Sequence, residues 1–498
     1  MKFDFITNTF TGTDKDTGKL AISGSDKDVS WKELYENVCL LEDLYKSLGI
    51  PKGHPVMIYG HKESLYAQVI LSLMKSDIPY VPVDEIYPVE RIEKIKNITG
   101  CRILINCSGK DTGVEFPIEI NSRFQVFRKK KPVYENNVFY NPENPLRYIM
   151  FTSGSTGEPK GVQITKNNIL SFLEWIEKDY NYSAGDVFMN QSPFTFDVSL
   201  YDILSSFMLG ASVLLISRKL ASDNDKFLEK LKSYNVSVWT STPSFAYIYL
   251  RDKTFHSGYL PSLKTFVFAG EVLSAKIVEA LHKKFENPRI INAYGPTEAT
   301  ITTTWIEITS GLLKTITKMP VGYPKRDSII LIENKENDPA KEGEIIIVGD
   351  HVSPGYFKNE NLTKSKFFKH HNKQAFNTGD LGFIKNNVVY FTGRNDDLIK
   401  FHGYRIELGE IDTAIIKVDF VDEAVTIALK RNDEVKRIIS FVILKAEIAN
   451  YKRLIISNIE NKLPSYMIPG DIVAIKEFPV NANHKTDKQE LIKIYSRL

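Results

Sequence analysis

The feature that most constrains the fold of this chain is a repeated alternation of short apolar runs with longer stretches of helical spacing across its first 300 residues. Strand-like, β-branched runs occur at 55–59, 80–83, 213–216, 236–239, 265–268 and 290–292. Helical patterns lie between them, at 65–75, 225–233 and 275–285. Strands that alternate with helices form parallel sheets covered by helices. We therefore predict an α/β fold with a large N-terminal domain of sheets covered by helices.

The pattern changes near residue 320. Short strands separated by turn residues are predicted at 328–333, 343–348 and 387–391, which indicates a β-rich subdomain at about 320–394. Beyond a polar stretch at 393–397, helices are predicted at 407–417 and 453–462, with strands at 425–429 and 439–444. We therefore predict an N-terminal core at 1–394 and a small, mobile α+β C-terminal domain at 395–498.

Length and charge exclude several classes of protein. The chain has 498 residues, which is too long for one domain, and a net charge of only +3 with both signs interleaved. We therefore expect neither a nucleic-acid partner nor insertion into a membrane, and no apolar run approaches the ~20 residues of a membrane helix. The N-terminus does not resemble a signal peptide, and three cysteines are too few for a disulfide framework. The prediction is a cytoplasmic protein.

The strongest local motif is a loop that follows an apolar run ending near residue 151. It reads Thr-Ser-Gly-Ser-Thr-Gly-Glu-Pro-Lys-Gly from 152 to 161. Glycines let backbone N–H groups crowd an anion, hydroxyls donate to it and a lysine neutralises it. Pro159 distinguishes the loop from a Walker A motif, and an ordinary flexible loop is the alternative interpretation. The predicted phosphate-binding residues are Thr152, Ser153, Gly154, Ser155, Thr156, Gly157 and Lys160.

This loop and other segments in the same order resemble the adenylate-forming (ANL) superfamily, which includes peptide-synthetase adenylation domains and acyl-CoA synthetases. The other matching segments lie at 80–92, 292–298, 343–356, 378–380, 393–400, 403–407 and 463–469. The resemblance spans nearly the whole chain. It implies an ATP- and Mg²⁺-dependent enzyme that joins a carboxylate to AMP with release of pyrophosphate. The activated acyl group would then pass to a thiol.

The resemblance also implies roles for individual residues. Glu298 would bind Mg²⁺, and Lys485 would be the catalytic cation that screens charge in the adenylation transition state. Asp396 would be the hinge about which the C-terminal domain rotates, so that the loop at Gly403 faces the incoming thiol. His484 replaces the glycine of the family's Asn-Gly-Lys motif, which puts the loop geometry in question but not the charge. The adenine- and ribose-binding residues would be Asn292, Ala293, Tyr294, Gly295, Thr297, Asp380 and Arg394.

The resemblance places Asp197 where amino-acid-activating relatives hold the substrate's α-ammonium group, with Glu271 as a weaker candidate nearby. A buried carboxylate beside a cation is a favourable pairing. The predicted substrate-binding residues are Asp197, Val198, Tyr201, Thr240, Val267, Ala269, Gly270, Ala293, Ile301 and Thr302.

Several segments look like those of the D-alanine-activating carrier protein ligases, among them 190–194, 238–245 and 305–309. The predicted partner is therefore a phosphopantetheine-bearing carrier protein acting in trans on a stand-alone ligase. Ala269 stands where those ligases usually carry cysteine, and it leaves space in the pocket. D-alanine and a larger hydrophobic or aromatic amino acid both stay open as substrates.

Two alternatives compete with this prediction. The first is an acyl-CoA synthetase for a small carboxylic acid, which would have no ammonium group to pair with Asp197. The second is a non-catalytic nucleotide-binding relative. His484 favours that second alternative, whereas Lys485, Glu298 and Asp380 oppose it.

Overall fold

The structure, a computed structural model, describes residues 1–12, 18–130, 134, 140–153, 158–395, 398–431, 434–479 and 486–497. Some of the predicted site residues lie outside these ranges, and their roles stay predictions. They are Gly154, Ser155, Thr156, Gly157, Asp396 and Lys485.

The helices of the described ranges are numbered in chain order. They are α1 (Trp31–Ser47), α2 (Ser64–Lys75), α3 (Val89–Thr99), α4 (Lys166–Asp179), α5 (Val198–Leu209), α6 (Arg218–Ala221), α7 (Asn224–Ser233), α8 (Pro243–Tyr249), α9 (Ala275–Lys284), α10 (Ser310–Leu313), α11 (Glu360–Lys366), α12 (Leu408–Ile416), α13 (Tyr451–Ile459) and α14 (Lys488–Arg497). Within these ranges, no helix combines the length and apolar character needed to cross a bilayer.

The strands are numbered in the same way. They are β1 (Lys2–Asp4), β2 (Thr9–Thr11), β3 (Leu20–Ser23), β4 (Asp28–Ser30), β5 (Val56–Gly60), β6 (Tyr80–Asp84), β7 (Ile103–Asn106), β8 (Ile118–Ile120), β9 (Val126–Arg128), β10 (Leu146–Thr152), β11 (Lys160–Thr165), β12 (Val187–Asn190), β13 (Ser212–Leu215), β14 (Val238–Ser241), β15 (Thr265–Phe268), β16 (Arg289–Tyr294), β17 (Thr304–Glu307), β18 (Tyr323–Pro324), β19 (Ser328–Glu333), β20 (Gly343–Gly349), β21 (Phe367–His370), β22 (Lys373–Lys385), β23 (Val388–Arg394), β24 (Leu398–Phe401), β25 (Tyr404–Glu407), β26 (Val421–Arg431), β27 (Glu434–Leu444) and β28 (Asp471–Ala474).

The N-terminal part contains two large sheets with parallel centres. One has the order β11-β10-β6-β5-β7-β8-β9, and the other has the order β18-β17-β16-β15-β14-β12-β13-β3-β4. Strands β12 to β16 of the second sheet run parallel, and antiparallel β17 follows at one side. Such parallel strands are covered on both faces, which explains their continuous apolar character.

A shared hydrophobic core joins the two sheets. Helix α2 is the clearest example, because its residues from Ser64 to Met74 are all buried. A helix that is buried on every side packs between other elements rather than on a surface. The core cluster around α2 includes Ile58 of the first sheet and Val238 of the second. A separate cluster around Trp239 and Phe266 packs the outer face of the second sheet against α7 and α9.

The β-rich part follows as an antiparallel sheet in the order β19-β20-β22-β21, with β23 paired to β22. Beyond it, β24 and β25 form a hairpin, and β26, β27 and β28 form a small sheet packed with α12 and α13. Helix α12 meets the core at a buried ion pair, in which Arg91 Nη1 lies 2.8 Å from Glu410 Oε1.

The predicted fold class is confirmed. The strand predicted at 265–268 matches β15 residue for residue, and the helices predicted at 65–75 and 225–233 match α2 and α7 to within one residue. Helices α4 and α5 fall in stretches for which the sequence pattern gave no prediction. The boundary predicted at 394/395 stays a prediction.

Candidate active site

The candidate site lies where parallel strands of the second sheet end. In open α/β sheets, ligands bind in the crevice outside the carboxyl ends of the strands. The segments that follow β12, β14, β15 and β16 carry Asp197, Thr242, Glu271 and Glu298 in turn. Strand β10 of the first sheet ends at Thr152 and adds the beginning of the phosphate-loop motif.

The described flanks of the phosphate loop contact the β24–β25 hairpin. Ser153 Oγ donates to the carbonyl oxygen of Arg405 at 3.0 Å and accepts from the N–H of Glu407 at 3.1 Å. Lys160 Nζ forms an ion pair with the carboxylate of Glu407. Thr152 Oγ1 is buried and, within the described residues, has no hydrogen-bond partner. These groups are the donors and the cation that a phosphate would need.

Glu298 is fully buried on the turn after β16. Arg405 holds both of its oxygens, with Nη1 2.8 Å from Oε2 and Nη2 3.3 Å from Oε1. The hydroxyl of Tyr356 donates to Oε1 at 2.9 Å. Burial alone would raise the pKa of Glu298, but the facing Arg405 guanidinium, a backbone hydrogen bond and the charge of Lys160 together hold this pKa below its ordinary value. Glu298 is therefore a carboxylate that keeps its negative charge because a cation faces it.

Asp197 is buried at the start of α5. Its Oδ2 accepts a hydrogen bond from Ile301 N at 3.3 Å. Ile301 and its neighbour Thr300 have φ angles of +68° and +58°, which β-branched residues rarely adopt. This strained turn directs a backbone donor at the carboxylate, and such strain concentrates at functional sites.

Burial raises the pKa of Asp197 to about 6, although hydrogen bonds from Thr297 and Ile301 partly oppose the shift. The carboxylate is therefore underpaired in this structure. A cationic partner would stabilise its charged form.

The other predicted substrate-binding residues lie on the same strand ends and on α5. Tyr201 is buried, and its hydroxyl lies 3.0 Å from that of Tyr182. Val198 is partly buried at the first position of α5. The predicted residues that are buried on the strands and the following turns are Thr240, Val267, Ala269, Ala293, Ile301 and Thr302, and Gly270 follows Ala269 with a φ of +90°.

The predicted nucleotide residues also come together. The Tyr294 hydroxyl donates to Asp380 Oδ2 at 2.6 Å, and Arg394 pairs with Asp380 Oδ1. The amide of Asn292 donates to the carbonyl of Pro320 at 2.7 Å. The backbone passes Gly295 so closely that a Cβ there would lie 2.6 Å from the Cα of Thr302, so only glycine fits.

Sequence reasoning missed the contacts of the β24–β25 hairpin with the core. The motif at 403–407 predicted a loop that faces the thiol, but not the ion pairs made by Arg405 and Glu407. Glu271, the weaker candidate for the neighbourhood of the substrate ammonium, accepts from Gly403 N at 2.7 Å and Ser244 N at 3.1 Å, and its role toward the substrate stays a prediction. It anchors the hairpin because its carboxylate satisfies two backbone donors at once.

Comparison with known proteins matches this chain to two families. Residues 11–357 match the AMP-binding enzyme family, and residues 410–485 match the AMP-binding enzyme C-terminal domain. The chain belongs to the AMP-binding enzyme family. This member of the family is an ATP-dependent, AMP-forming ligase.

Among similar curated proteins is a D-alanine--D-alanyl carrier protein ligase of Bacillus licheniformis, 36% identical over 500 residues and covering 99% of each chain. A protein with the same name from Bacillus cereus strain G9842 is 34% identical over 487 residues, or 94% of each chain. Among solved structures, the Vibrio cholerae adenylation domain AlmE, in complex with glycyl-adenosine-5'-phosphate, has the same fold. Its TM-score is 0.83 at 22% identity, and the match covers 99% of this chain and 97% of that one.

The family implies a magnesium ion, and the residues present fit one. Mg²⁺ prefers oxygen ligands and usually takes one or two carboxylates together with phosphate oxygens and waters. Glu298 is a buried carboxylate close to the phosphate loop, and it already holds a cationic group. Within the described ranges, no cluster of three or more His, Cys, Asp or Glu side chains is placed to hold a metal by protein ligands alone.

Asp197→Asn should stabilise the ligand-free protein at neutral pH. Folding raises the pKa of Asp197 to about 6, so its contribution to stability is greatest at pH values below its pKa in the unfolded chain. That contribution falls as the pH rises from about 4 to 6. When Asp197 is fully ionised in the folded protein, the free energy of unfolding is lower by roughly 3 kcal/mol. Thermal unfolding of both proteins at pH 4.5 and 7.5 measures this effect. The melting-temperature gain of the variant should be larger at pH 7.5, and an equal gain at both values would contradict the assigned burial.

Proposed function

We propose that this ligase activates an amino acid and transfers it to the phosphopantetheine thiol of a carrier protein. The observation that carries the proposal is the buried, underpaired carboxylate of Asp197 beside the carboxyl ends of the parallel strands. An α-ammonium group would supply the missing positive charge. A carboxylic acid without an amino group would leave Asp197 uncompensated, and an uncompensated buried charge is costly.

In the first half-reaction, a carboxylate oxygen of the amino acid bonds to the α-phosphorus of ATP. The bond to the bridging oxygen breaks, and pyrophosphate leaves with that electron pair. Lys160 and the hydroxyls of Thr152 and Ser153 would hold the departing phosphates, and Lys485 would screen the two approaching anions. Mg²⁺ at Glu298 would draw further negative charge from the phosphate oxygens. Asp380 would accept hydrogen bonds from the ribose, and the Tyr294 ring would lie against adenine.

In the second half-reaction, the thiol sulfur bonds to the acyl carbon, its proton passes to solvent, and AMP leaves with the electrons of the broken acyl–oxygen bond. Gly403, in the turn of the hairpin, is the residue that the resemblance places toward the thiol, and its N–H donates to Glu271. Gly403 has a φ of +84°, and a Cβ there would lie 3.0 Å from Thr242, so a larger residue would strain this close contact.

D-alanine is our first proposal for the substrate. The relatives that cover 99% and 94% of this chain are named D-alanine--D-alanyl carrier protein ligase. A larger hydrophobic or aromatic amino acid is the second, because the small residues Ala269 and Ala293 occupy two of the positions predicted to bind the substrate. One methylene group changes discrimination by only about 1–3 kcal/mol, so a direct comparison of substrates is needed.

A panel of pyrophosphate exchange assays tests both the reaction and the substrate. With Mg²⁺ and ATP, we expect exchange with D-alanine or a hydrophobic amino acid and little exchange with the matching acid that lacks the amino group. Propionate is the control for alanine, and 3-phenylpropionate is the control for phenylalanine. If the acids without an amino group were activated equally well, the amino-acid proposal would fail in favour of an acyl-CoA synthetase.

Lys485→Ala should slow pyrophosphate exchange by roughly 100-fold or more, because it removes the cation that stabilises the adenylation transition state. ATP binding, measured by calorimetry, should stay near that of the parent protein, since other groups hold the phosphates. The neighbouring lysine variant Lys488→Ala is the matched control and should exchange normally. Normal exchange by Lys485→Ala would show that Lys485 is not the catalytic cation of adenylation and would favour a different cation.

A further inference from the structure

A lysine with no exposed surface joins the two large sheets. Lys62 follows β5 of the first sheet, in the turn before α2, and its side chain is fully buried. Its ammonium group donates to the side-chain oxygen of Asn190 and, at 2.6 Å, to the carbonyl oxygen of Ser192. Asn190 is the last residue of β12 in the second sheet. One side chain from the first sheet therefore binds the end of a strand that lies 128 residues further along the chain.

The ammonium group also packs against the segment that leads from β12 to α5, residues 191–197. Lys62 Nζ lies 4.3 Å from the centre of the Phe194 ring, a favourable contact between a cation and an aromatic face. The Phe194 ring is stacked on Tyr66 of α2, with the ring centres 4.5 Å apart. The segment ends at Asp197, the residue proposed to bind the substrate's ammonium group. The lysine thus holds the stretch of backbone that carries this carboxylate.

Asn190 connects the lysine to helix α5. Its side-chain oxygen accepts from Lys62, and its side-chain nitrogen donates to the Ser199 carbonyl at 2.7 Å and to Asp202 Oδ2 at 3.1 Å. Ser199 and Asp202 lie on α5, beyond the 191–197 segment. The segment is therefore a loop that Asn190 closes at its base and that Lys62 holds along its first half.

Lys62 and Asp202 are two buried groups of opposite charge, joined through the Asn190 amide. Burial lowers the pKa of Lys62 to about 7, and the charge of Asp202 is the largest influence that opposes this shift. Burial raises the pKa of Asp202 to about 8, and hydrogen bonds together with the charge of Lys62 oppose that shift. Removal of one group would leave the other uncompensated, whereas removal of both would not.

We propose that Lys62 is a positioning residue for the amino-acid substrate, because it holds the 191–197 segment where the Asp197 carboxylate can meet the substrate's ammonium group. Asp202 supports this role by balancing the charge of the lysine. The proposal rests on the proposed role of Asp197. Lys62 acts through the segment and not by contact with the substrate.

The position of Asp197 depends on such support. Asp197 precedes α5 without a capping hydrogen bond from its side chain, and its hydrogen bond from Ile301 N is as long as 3.3 Å. Attraction between the carboxylate and an ammonium group weakens with distance, so a displaced segment would lower the affinity for an amino acid. The proposed phosphate and metal ligands lie on other segments, so the affinity for ATP should not follow.

Substitution of the two charges, singly and together, separates affinity from stability. Lys62→Met removes the ammonium group but keeps a flexible side chain of nearly the same length, and Asp202→Asn removes the carboxylate charge. Lys62→Met alone should lower the melting temperature, and the double variant should recover part of that loss, because no charge is left uncompensated. The double variant also serves if Lys62→Met alone fails to fold.

Pyrophosphate exchange measures the effect on the substrate. We expect KM for the amino acid to rise about tenfold in both proteins that carry Lys62→Met, and kcat to change by less than about threefold, since the reacting groups are untouched. ATP binding, measured by calorimetry, should change by less than about twofold. A parent-like KM for the amino acid in the double variant, or an equal loss of ATP affinity, would overturn the proposal.

Lys325→Met is the matched control. The Lys325 side chain is also fully buried and pairs with an acid, with Nζ 2.6 Å from Asp327 Oδ1. Its other described side-chain partner is Ser171, and both partners lie outside the 191–197 segment. Lys325→Met should therefore lower the melting temperature without a change in KM for the amino acid. An equal rise in KM would mean that loss of any buried lysine has this effect, against a specific role for Lys62.

Hydrogen exchange followed by mass spectrometry reports on the segment itself. The amides of Phe196 and Ser199 donate to the carbonyls of Pro193 and Phe196, at 2.9 and 3.0 Å. In the ligand-free double variant, we expect peptides that cover these amides to exchange at least about threefold faster than in the parent protein, with no change at α9. Unchanged exchange in the segment would contradict the proposal.

The amino-acid proposal and the Lys62 proposal can be told apart when they fail. If the parent protein activates acids without an amino group equally well, the amino-acid proposal falls, and the Lys62 proposal falls with it. If the parent protein prefers amino acids and the double variant keeps the parent KM, the Lys62 proposal alone falls.

Discussion

The interaction on which the site depends is the ion pair between buried Glu298 and a cation. A carboxylate with no exposed surface holds its charge only when a positive group faces it, and in this structure Arg405 is that group. Arg405 belongs to the hairpin before α12, so the pair joins the core to the C-terminal part of the chain.

The sheets explain why these groups meet. Parallel strands end on one edge, so the segments after β12, β14, β15 and β16 converge there although they are far apart in the chain. Asp197 and Glu298 lie on two of these segments, and the strained turn at Thr300 and Ile301 directly follows Glu298. That turn supplies a backbone donor to Asp197. The core therefore concentrates two buried carboxylates at one edge, and each of them gains from a cationic partner.

Much of the fold could be predicted from the sequence, because buried parallel strands such as β15 are apolar along their whole length and the helices between them keep a helical period. The segments of the site were also predicted, because their motifs occur in the order of a known family. The contacts of Arg405 with Glu298 and of Glu271 with Gly403 could not be predicted. They join segments more than 100 residues apart and depend on how the hairpin packs against the core. The positive φ angles at Thr300 and Ile301 could not be predicted from the sequence either, because β-branched residues normally avoid them.

The central claim is that the buried carboxylate of Asp197 holds the ammonium group of an amino-acid substrate. The ratio of kcat/KM for D-alanine to that for propionate, or for phenylalanine to 3-phenylpropionate, tests it most directly when measured by pyrophosphate exchange in the parent protein and in Asp197→Asn. The account predicts that this ratio falls by about tenfold or more in the variant, because the charge that pairs with the ammonium group is lost. An unchanged ratio would contradict it.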